Sequence, residues 1–386
     1  MSRLDRIALA DYALPDAEVA TLLSPTLLIY LDHVRHNLTR MRDYLGGDLD
    51  RWRPHLKTAK VPAVFAEYVR FGLRAFKCAT TREAATMLAV LAAAGVTDAD
   101  LLVAYPHVGP ALTALGQLAR RHPRTRLSVL CEDPQLLAQV PDALGVFVDL
   151  NPGMNRTGIP IAELDRVLAI ARAAGARFRG LHSYEGHVHD GDQAARAAQA
   201  NATYDLLLAA HAWLGAAGVR VGELVTSGTP NFMAALRHAP FRALPGTRHR
   251  VSPGTVIYHD ARYGEVVDEI ELRPAALVLA RVVSHPAPGL ATCDAGSKSL
   301  AAEAGDPCAV VLGHPDWVAQ RPSEEHLPLR VPAGALPARG TALYLVPQHV
   351  CPTVNLAEQA VLVQAGRVVD VVAVSARAHD VRAAAT

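Results

Sequence analysis

Residues 126 to 150, RLSVLCEDPQLLAQVPDALGVFVDL, contain the pattern that decides the fold. Two short runs rich in Val, Leu and Phe, RLSVLC and GVFVDL, have the composition of β-strands, and a stretch rich in Leu and Ala lies between them. Strands joined by a helical crossover run parallel in one sheet. The same alternation recurs from Thr26 to about residue 260, so it predicts an α/β protein built on a parallel sheet.

Nine strand candidates follow this rhythm, with amphipathic helices predicted between them. An eight-stranded (β/α)8 barrel is the natural closure of such a chain, and nine candidates are one too many. The candidates are TLLIYL (26–31), WRPHL (52–56), RAFKCA (74–79), DLLVAY (100–105), RLSVLC (126–131), GVFVDL (145–150), RFRGLHSY (177–184), ELVTSG (223–228) and VSPGTVIY (251–258).

The pattern changes after residue 262. Helical periodicity nearly vanishes, and runs such as QAVLVQAGRVVDVVAVSAR alternate β-branched with polar residues between Gly and Pro turns. We therefore predict a barrel domain over residues 27–262 and a mostly antiparallel β domain over residues 263–386, which the N-terminal segment 1–26 joins.

Composition excludes several classes of protein. The net charge is +1 and the basic residues are scattered, so nucleic acid is not an expected partner. The N-terminus lacks the apolar stretch of a secretory signal, and no later segment is long enough to span a bilayer. The five cysteines are widely spaced and odd in number, which favours reduced thiols over disulfides. We expect a cytoplasmic protein without a membrane partner.

Lysine is scarce, with four lysines in 386 residues, and Lys57 follows the second strand candidate in RPHLKTAK. The carboxyl ends of barrel strands meet at one mouth, where an amine can act as a nucleophile. Lys57 is flanked in sequence by Arg53, His55 and Lys60, cations that would favour its neutral form. A lysine is nevertheless more often a solvated surface charge.

Other polar motifs follow the predicted strands. Arg156 in NPGMNRTG follows the sixth candidate, and Tyr184 in YEGHVHD follows the seventh. Two loops of small residues, TSGTPN and SPGT, could cradle a phosphate with their backbone N–H groups. The same residues also make ordinary turns, but two such loops at one mouth favour phosphate. The candidate phosphate ligands are Ser227, Gly228, Thr229, Gly254 and Thr255.

His349 and Cys351 stand two residues apart in YLVPQHVCPTVNL, at what we predict to be the end of a strand. In a strand, this spacing points both side chains to one side, where they make half of a tetrahedral zinc site. A carboxylate in place of the sulfur would suit manganese or magnesium better. Core packing is the alternative explanation for such a pair.

Taken together, RPHLKTAK, NPGMNRTG, GLHSYEGH, TSGTP, CDAGSKSL, SEEH and PQHVCPTVNL resemble the D-threonine aldolase and D-serine dehydratase family, in matching order from about Thr26 to Ala376. The resemblance implies an alanine-racemase-like fold with pyridoxal 5'-phosphate in the barrel and a metal site in the β domain. It also implies a homodimer in which two chains build each active site. In the family the first strand belongs to the β domain, which leaves eight for the barrel.

The resemblance assigns roles residue by residue. Lys57 matches the lysine that is bonded covalently to the cofactor, and Arg156 would sit by the cofactor's phenolic oxygen. Tyr184 would line the cofactor ring, while the two loops, Ser227 included, would bind its phosphate. His349 and Cys351 match the ligands of a divalent metal, zinc first and manganese or magnesium as alternatives.

Three positions depart from the family pattern. Ala59 stands where the family commonly has histidine, and Asp190 stands where the aldolases place one. The family's aldolases carry His-x-Asp at the metal motif and its dehydratases His-x-Cys, so Cys351 favours dehydration. The following PTVNL resembles the aldolases.

We expect a lyase that acts on small D-configured β-hydroxy-α-amino acids. The favoured prediction is dehydration of D-serine or D-threonine to a 2-oxo acid and ammonia. The alternative is a D-threonine aldolase, which releases glycine and an aldehyde. A racemase would need a second acid or base and no metal. A non-catalytic carrier of the cofactor would need the barrel alone, and the His-x-Cys pair argues against it.

Overall fold

The computed structural model of the chain describes residues 7–189, 191–267 and 269–382. Within this range the chain forms two compact units, each described here by itself. Unit one comprises residues 7–41, 58–67 and 255–377, and unit two comprises the segments 42–57, 68–254 and 378–382. These units divide the chain at places other than residue 262, and the division there stays a prediction.

The strands are numbered in chain order over the described residues. They are β1 (Thr26–Tyr30), β2 (Ala75–Cys78), β3 (Asp100–Pro106), β4 (Arg126–Cys131), β5 (Gly145–Asn151), β6 (Ile159–Pro160), β7 (Phe178–Ser183), β8 (Glu223–Thr226), β9 (Arg248–Val251), β10 (Ala276–Ala287), β11 (Leu290–Cys293), β12 (Ala309–Val311), β13 (Val318–Ala319), β14 (Leu327–Arg330), β15 (Ala342–Pro347), β16 (Gln359–Gln364) and β17 (Arg367–Ala373).

Several of the described α-helices begin at a capping side chain that accepts an N–H of the first turn; Thr80, for example, accepts from the N–H of Glu83. They are α1 (Asp16–Val19), α2 (Leu31–Tyr44), α3 (Pro62–Arg70), α4 (Thr81–Ala93), α5 (Gly109–Arg121), α6 (Pro134–Gln139), α7 (Leu164–Ala174), α8 (Gln193–Ala216), α9 (Phe232–Arg237), α10 (Ala261–Val266) and α11 (Val350–Leu356). Within the described ranges, no helix is long and apolar enough to cross a membrane.

Unit two contains the predicted parallel sheet, in the order β2-β3-β4-β5-β7-β8-β9. The segment around the second strand candidate closes it, because Trp52 bridges to Val251 of β9 and His55 bridges to Lys77 of β2, both in parallel. The segment forms single bridges rather than a regular strand, since Pro54 has no N–H to donate. The predicted eight-stranded closure is thereby confirmed, with one irregular member.

Arg53 fills the amino-terminal end of this barrel. Its side chain is fully buried and bonds to both Glu223 carboxylate oxygens at 2.8 Å and to Asp100 Oδ1 at 2.8 Å. Glu223 and Asp100 are the first residues of β8 and β3. A buried guanidinium requires such partners, because an unpaired charge in the interior is very costly.

Unit one contains a nine-stranded, mostly antiparallel sheet with the order β11-β14-β13-β12-β15-β10-β1-β16-β17. β11 also pairs with β10, which closes six of these strands into a small barrel. The first strand candidate, β1, lies in this sheet between β10 and β16. The predicted α/β barrel with an appended β domain is confirmed as a fold class.

Two details of the predicted strands are wrong. The last barrel strand is β9, which ends at Val251, and residues 255–257 form a 3-10 turn instead of a strand. Pro253 and Gly254 follow β9 directly, and this turn-forming pair ends the strand early. The second error concerns His349 and Cys351, which do not lie in a strand.

Candidate functional site

Lys57 directly follows the closing segment of the barrel. Its neighbour Leu56 donates its N–H to the carbonyl of Lys77 at 2.7 Å, which fixes the chain at the carboxyl end of β2. The Lys57 side chain is exposed, whereas Lys60 is buried and its Nζ lies 3.3 Å from the carbonyl oxygen of Ala376. The geometry thus separates the two lysines of KTAK, and Lys57 is the one whose amine is accessible.

Arg156 and Tyr184 lie together. They occupy the loops after β5 and β7, and the Arg156 guanidinium carbon is 4.9 Å from the centre of the Tyr184 ring. This cation–π contact holds an aromatic face and a positive charge side by side. Such a pair suits a planar, anionic aromatic ligand.

The loop after β8 is tight against Tyr184. A Cβ added at Gly228 would lie 3.0 Å from Cε2 of Tyr184, so only glycine fits without displacing the ring. Over the described residues, no acceptor takes the N–H of Gly228 or of the buried Thr229. Buried N–H groups without partners are rare in proteins, and here they leave donors available to an anion.

Ser227 differs from the other predicted phosphate ligands. It is 1% exposed, its N–H donates to Glu185 at 3.3 Å, and its hydroxyl lies 2.9 Å from that of Tyr204. Its polar groups are therefore engaged inside the barrel. The loop offers Gly228 and Thr229 to a ligand instead.

Gly254 and Thr255 follow β9, and both are buried. Their N–H groups also lack acceptors among the residues that the structure describes. Within unit two, Gly228, which leaves little room for a Cβ, and the unsatisfied N–H donors of Gly228, Thr229 and Gly254 fit a phosphate group. Together with Lys57 and Tyr184, they provide the types of group that pyridoxal phosphate requires.

His349 and Cys351 lie at the start of helix α11. His349 is the residue before the helix, and Cys351 is in its first turn. The strand geometry that we predicted for this pair is therefore wrong, although Cys351 still acts electrostatically on the His349 ring. Burial disfavours a charged His349 ring, yet its contacts with Cys351 and Glu303 raise the pKa of His349 to about 9.

The cysteine has two hydroxyl neighbours within unit one. Cys351 Sγ lies 3.1 Å from the hydroxyl of Thr58 and 3.4 Å from that of Thr255. Glu303 contacts Nδ1 of His349. Over the described ranges, no cluster of three or more His, Cys, Asp or Glu side chains has the geometry of a metal site. A cation here would have two protein ligands, with positions left for water or substrate.

The barrel interior contains polar residues that the sequence analysis missed. Lys77 of β2 and Asp149 of β5 are buried, as are His182 of β7 and Glu185 just after it. Asp149 bonds to His182 Nδ1 at 2.7 Å. A lysine among the apolar residues of AFKCA (75–79) was the signal that could have revealed this cluster.

Two of the cations that flank Lys57 in sequence have partners of their own. Arg53 is neutralised by two carboxylates at the other end of the barrel, and Lys60 bonds to a carbonyl oxygen. Lys77, twenty positions away, is the lysine whose pKa responds to the charge of Lys57. Asp190 lies outside the described residues. Ala59 is fully buried, and its carbonyl accepts the hydroxyl of Tyr258 at 2.9 Å.

Comparison with known proteins shows the family of the chain. The alanine racemase N-terminal domain matches residues 29–262, and the putative serine dehydratase domain matches residues 275–363. A D-threonine aldolase from Arthrobacter sp is 32% identical over 96% of this chain and 97% of its own. The chain belongs to the D-threonine aldolase and D-serine dehydratase family.

Solved structures of related enzymes are similar to this chain over nearly its whole length. The D-threonine aldolase from Filomicrobium marinum has a TM-score of 0.81 at 29% identity, over 95% of this chain and 98% of that one. The D-threo-3-hydroxyaspartate dehydratase from Delftia sp. HT23 has a TM-score of 0.75 at 25% identity, over 93% and 98%. Two variants of that dehydratase replace a histidine and a cysteine two positions later, and the cysteine variant is metal-free.

Membership fixes the class of chemistry. The family consists of pyridoxal-phosphate-dependent lyases, and the fold confirms the alanine-racemase-like barrel expected for one. This family member is therefore a pyridoxal-phosphate-dependent lyase.

Proposed function

We propose that this family member is a lyase dependent on both pyridoxal phosphate and a divalent metal, and that it dehydrates D-configured β-hydroxy-α-amino acids such as D-serine and D-threonine. The observation that carries the choice of dehydration is the His-x-Cys pair at the start of α11, in which Cys351 stands two positions after His349. The Delftia dehydratase has a histidine and a cysteine at the same spacing, and its metal-free cysteine variant supports a metal role for that pair.

Lys57 is the proposed catalytic residue. Its exposed amine would bond to the cofactor's carbonyl, and the bound cofactor supplies an electron sink for the bonds at the substrate's Cα. Once the substrate's amine takes its place, Lys57 would remove the proton from Cα as a general base.

The remaining groups of the barrel would hold the cofactor. Tyr184 would stack on its ring, and Arg156 would neutralise its phenolic oxygen. The N–H groups of Gly228, Thr229 and Gly254 would donate to its phosphate, as would that of Thr255. Ser227 would support Glu185 and Tyr204 rather than bind the phosphate.

His349 and Cys351 would bind the divalent cation, and the contact with Glu303 would orient the His349 ring. Sulfur and nitrogen ligands favour zinc over manganese and magnesium. The cation would act as a Lewis acid on the β-hydroxyl, which is a poor leaving group by itself.

Retro-aldol cleavage is the second candidate. The Arthrobacter D-threonine aldolase, at 32% identity over nearly the whole chain, favours it. An aldolase would break the bond between Cα and Cβ and release glycine and an aldehyde. Both reactions would use the same side chains and differ in the bond that is broken.

Product analysis separates the two reactions in one assay. Purified enzyme with its cofactor and Zn²⁺ is incubated with D-serine, D-threonine and D-threo-3-hydroxyaspartate. Dehydration yields ammonia and a 2-oxo acid, whereas retro-aldol cleavage yields glycine and an aldehyde. Glycine without ammonia would refute dehydration, and inversion to L-amino acids without either product would refute both.

We further infer that the active enzyme is a homodimer whose site is completed by both chains, as the family resemblance implies. Sedimentation equilibrium should then give twice the 41.1 kDa of the chain. A fully active monomer would contradict this inference.

A further inference from the structure

Lys77 is buried on the inner face of the barrel. It is 4% exposed, and its register partner on β3 is Leu102, which belongs to the interior cluster with Leu130, Phe147 and Val225. Its N–H donates to the carbonyl of Pro54 at 2.9 Å, and its carbonyl accepts from Leu56 at 2.7 Å. Two hydrogen bonds therefore tie Lys77 to the segment that leads directly into Lys57.

No carboxylate neutralises this amine. Over the described chain, Lys77 Nζ has no hydrogen-bond partner and no carboxylate oxygen within 4 Å. Asp149 and Glu185 are in electrostatic range, but other groups already occupy their oxygens. Asp149 binds His182 at 2.7 Å and Thr157 at 2.8 Å, and Glu185 binds Tyr204 at 3.0 Å and Ser227 at 3.3 Å.

Charged groups face Lys77 from several elements. Lys57 and Arg156 contribute positive charge from the loops after the closing segment and β5. Asp149 and Glu185 contribute negative charge, while His55 is its bridge partner and His182 senses its charge. Burial and the charge of Lys57 lower the pKa of Lys77 to about 7.

The Lys77 residue is buried and its amine has no hydrogen-bond partner among the described residues, while its Nζ is not one of the fully enclosed unpartnered atoms. Buried lysines are normally paired, because removing an ammonium from water is costly. An amine that changes charge near neutral pH inside a ligand-binding barrel is instead typical of a functional site.

We propose that Lys77 is a second functional amine of the cofactor site, a positioning residue whose charge controls protonation of the nitrogen that joins Lys57 to the cofactor. The proposal rests on the proposed function, in which Lys57 holds the cofactor. A protonated Lys77 opposes a second positive charge on that nitrogen, and a neutral Lys77 permits it. The cofactor's electronic state would thus depend on an amine on the neighbouring strand.

The first test follows the amine itself. The chain has only four lysines, so enzyme labelled with 13C at the lysine ε-carbons gives four signals. Lys77→Met and Lys298→Met assign the buried and the exposed signal. In cofactor-free enzyme the Lys77 signal should titrate with a midpoint near 7, and loading the cofactor should shift that midpoint. A Lys77 that stays protonated to pH 9 in both forms would overturn the proposal.

The second test follows the cofactor. Lys77→Met should move the pH titration of the bound cofactor's visible absorbance to higher pH by about one to three units, because an opposing charge is lost. Lys77→Arg, which keeps the charge at all pH values, should move it the other way. Lys298→Met is the matched control and should leave it unchanged. If neither Lys77 variant moves the absorbance titration, Lys77 does not act on the cofactor.

Borohydride reduction distinguishes failure of this inference from failure of the proposed function. Reduction followed by peptide mass mapping should label Lys57 in the wild type and in both Lys77 variants. Absence of the label from wild-type Lys57 refutes the proposed function. Labelled Lys57 with an unmoved absorbance titration refutes only the role of Lys77. If Lys77→Met does not fold, Lys77→Arg and the wild-type lysine signals still decide the question.

Discussion

Replacing Lys77 with methionine should stabilise the cofactor-free protein at low pH. The pKa of the wild-type Lys77 amine falls from 10.5 in the unfolded chain to about 7 in the folded chain. At 1.36 kcal/mol for each pH unit, this fall of about 3.5 units corresponds to roughly 5 kcal/mol. Methionine has a similar length and no charge, so it removes this cost without opening a large cavity.

The sign of the pH dependence follows from proton binding. Between about pH 7 and 10.5 the unfolded chain binds more protons at this position than the folded chain, so wild-type stability rises with pH. Below about pH 7 the amine is protonated in both states, so the full free-energy cost of burying its charge is present. The advantage of Lys77→Met should therefore be greatest at pH 6 and should shrink steadily towards pH 10.

Urea unfolding at pH 6, 7, 8 and 9, followed by circular dichroism, measures this difference. Lys298→Met serves as the control, because Lys298 is exposed and bound to Glu324 and Glu325 at the surface. It should show no comparable pH-dependent gain. A Lys77→Met variant that is less stable than the wild type at pH 6, or whose advantage does not change with pH, would refute the reasoning about a buried, unpaired amine.

Four further outcomes are expected. Lys57→Ala should lose the visible absorbance of the bound cofactor, and a persisting band would remove Lys57 from the mechanism. Removing the metal with EDTA should abolish turnover while the cofactor stays bound, and full activity after verified removal would exclude a catalytic metal at His349. Gly228→Ala should weaken cofactor binding by about 1 to 3 kcal/mol, because its Cβ would press on Tyr184; Gly215→Ala, whose Cβ meets nothing within 4 Å, is its control in equilibrium dialysis. Arg53→Met should destabilise the barrel by about 3 to 5 kcal/mol in urea unfolding, because it leaves buried carboxylates unpaired, and an unchanged midpoint would contradict that role.

The sequence predicted the barrel well wherever the strands are regular. β4 matches its predicted run, and β5 extends it by one residue, because an apolar run between turn residues reports a buried strand directly. The prediction failed where one residue changes the backbone. Pro54 reduces the closing segment to single bridges, and Pro253 with Gly254 ends the last strand early. Both differences are local effects, one of a missing backbone N–H donor and one of turn geometry. The hydrophobic pattern of a sequence reports neither of them.

The candidate site was harder to predict from the sequence than the fold. Motif order predicted roles for Lys57, Arg156 and Tyr184, and the structure brings the last two into contact. It also engages Ser227 inside the barrel, where the loop sequence had suggested a phosphate ligand. Which polar atoms of a loop stay available depends on partners from other strands, and no local pattern records those partners.

By itself, the sequence determined the class of fold. It also showed which residue types could serve as nucleophile and metal ligands, and their order along the chain. Hydrophobic period and residue chemistry are local properties, so the sequence contains both. Only the tertiary structure decided that Arg53 is neutralised by Asp100 and Glu223 and that the charge of Lys57 acts on Lys77. Barrel closure places residues from distant parts of the chain side by side in an interior of low dielectric. Charge interactions there depend on distance and burial, which the linear order of residues does not contain.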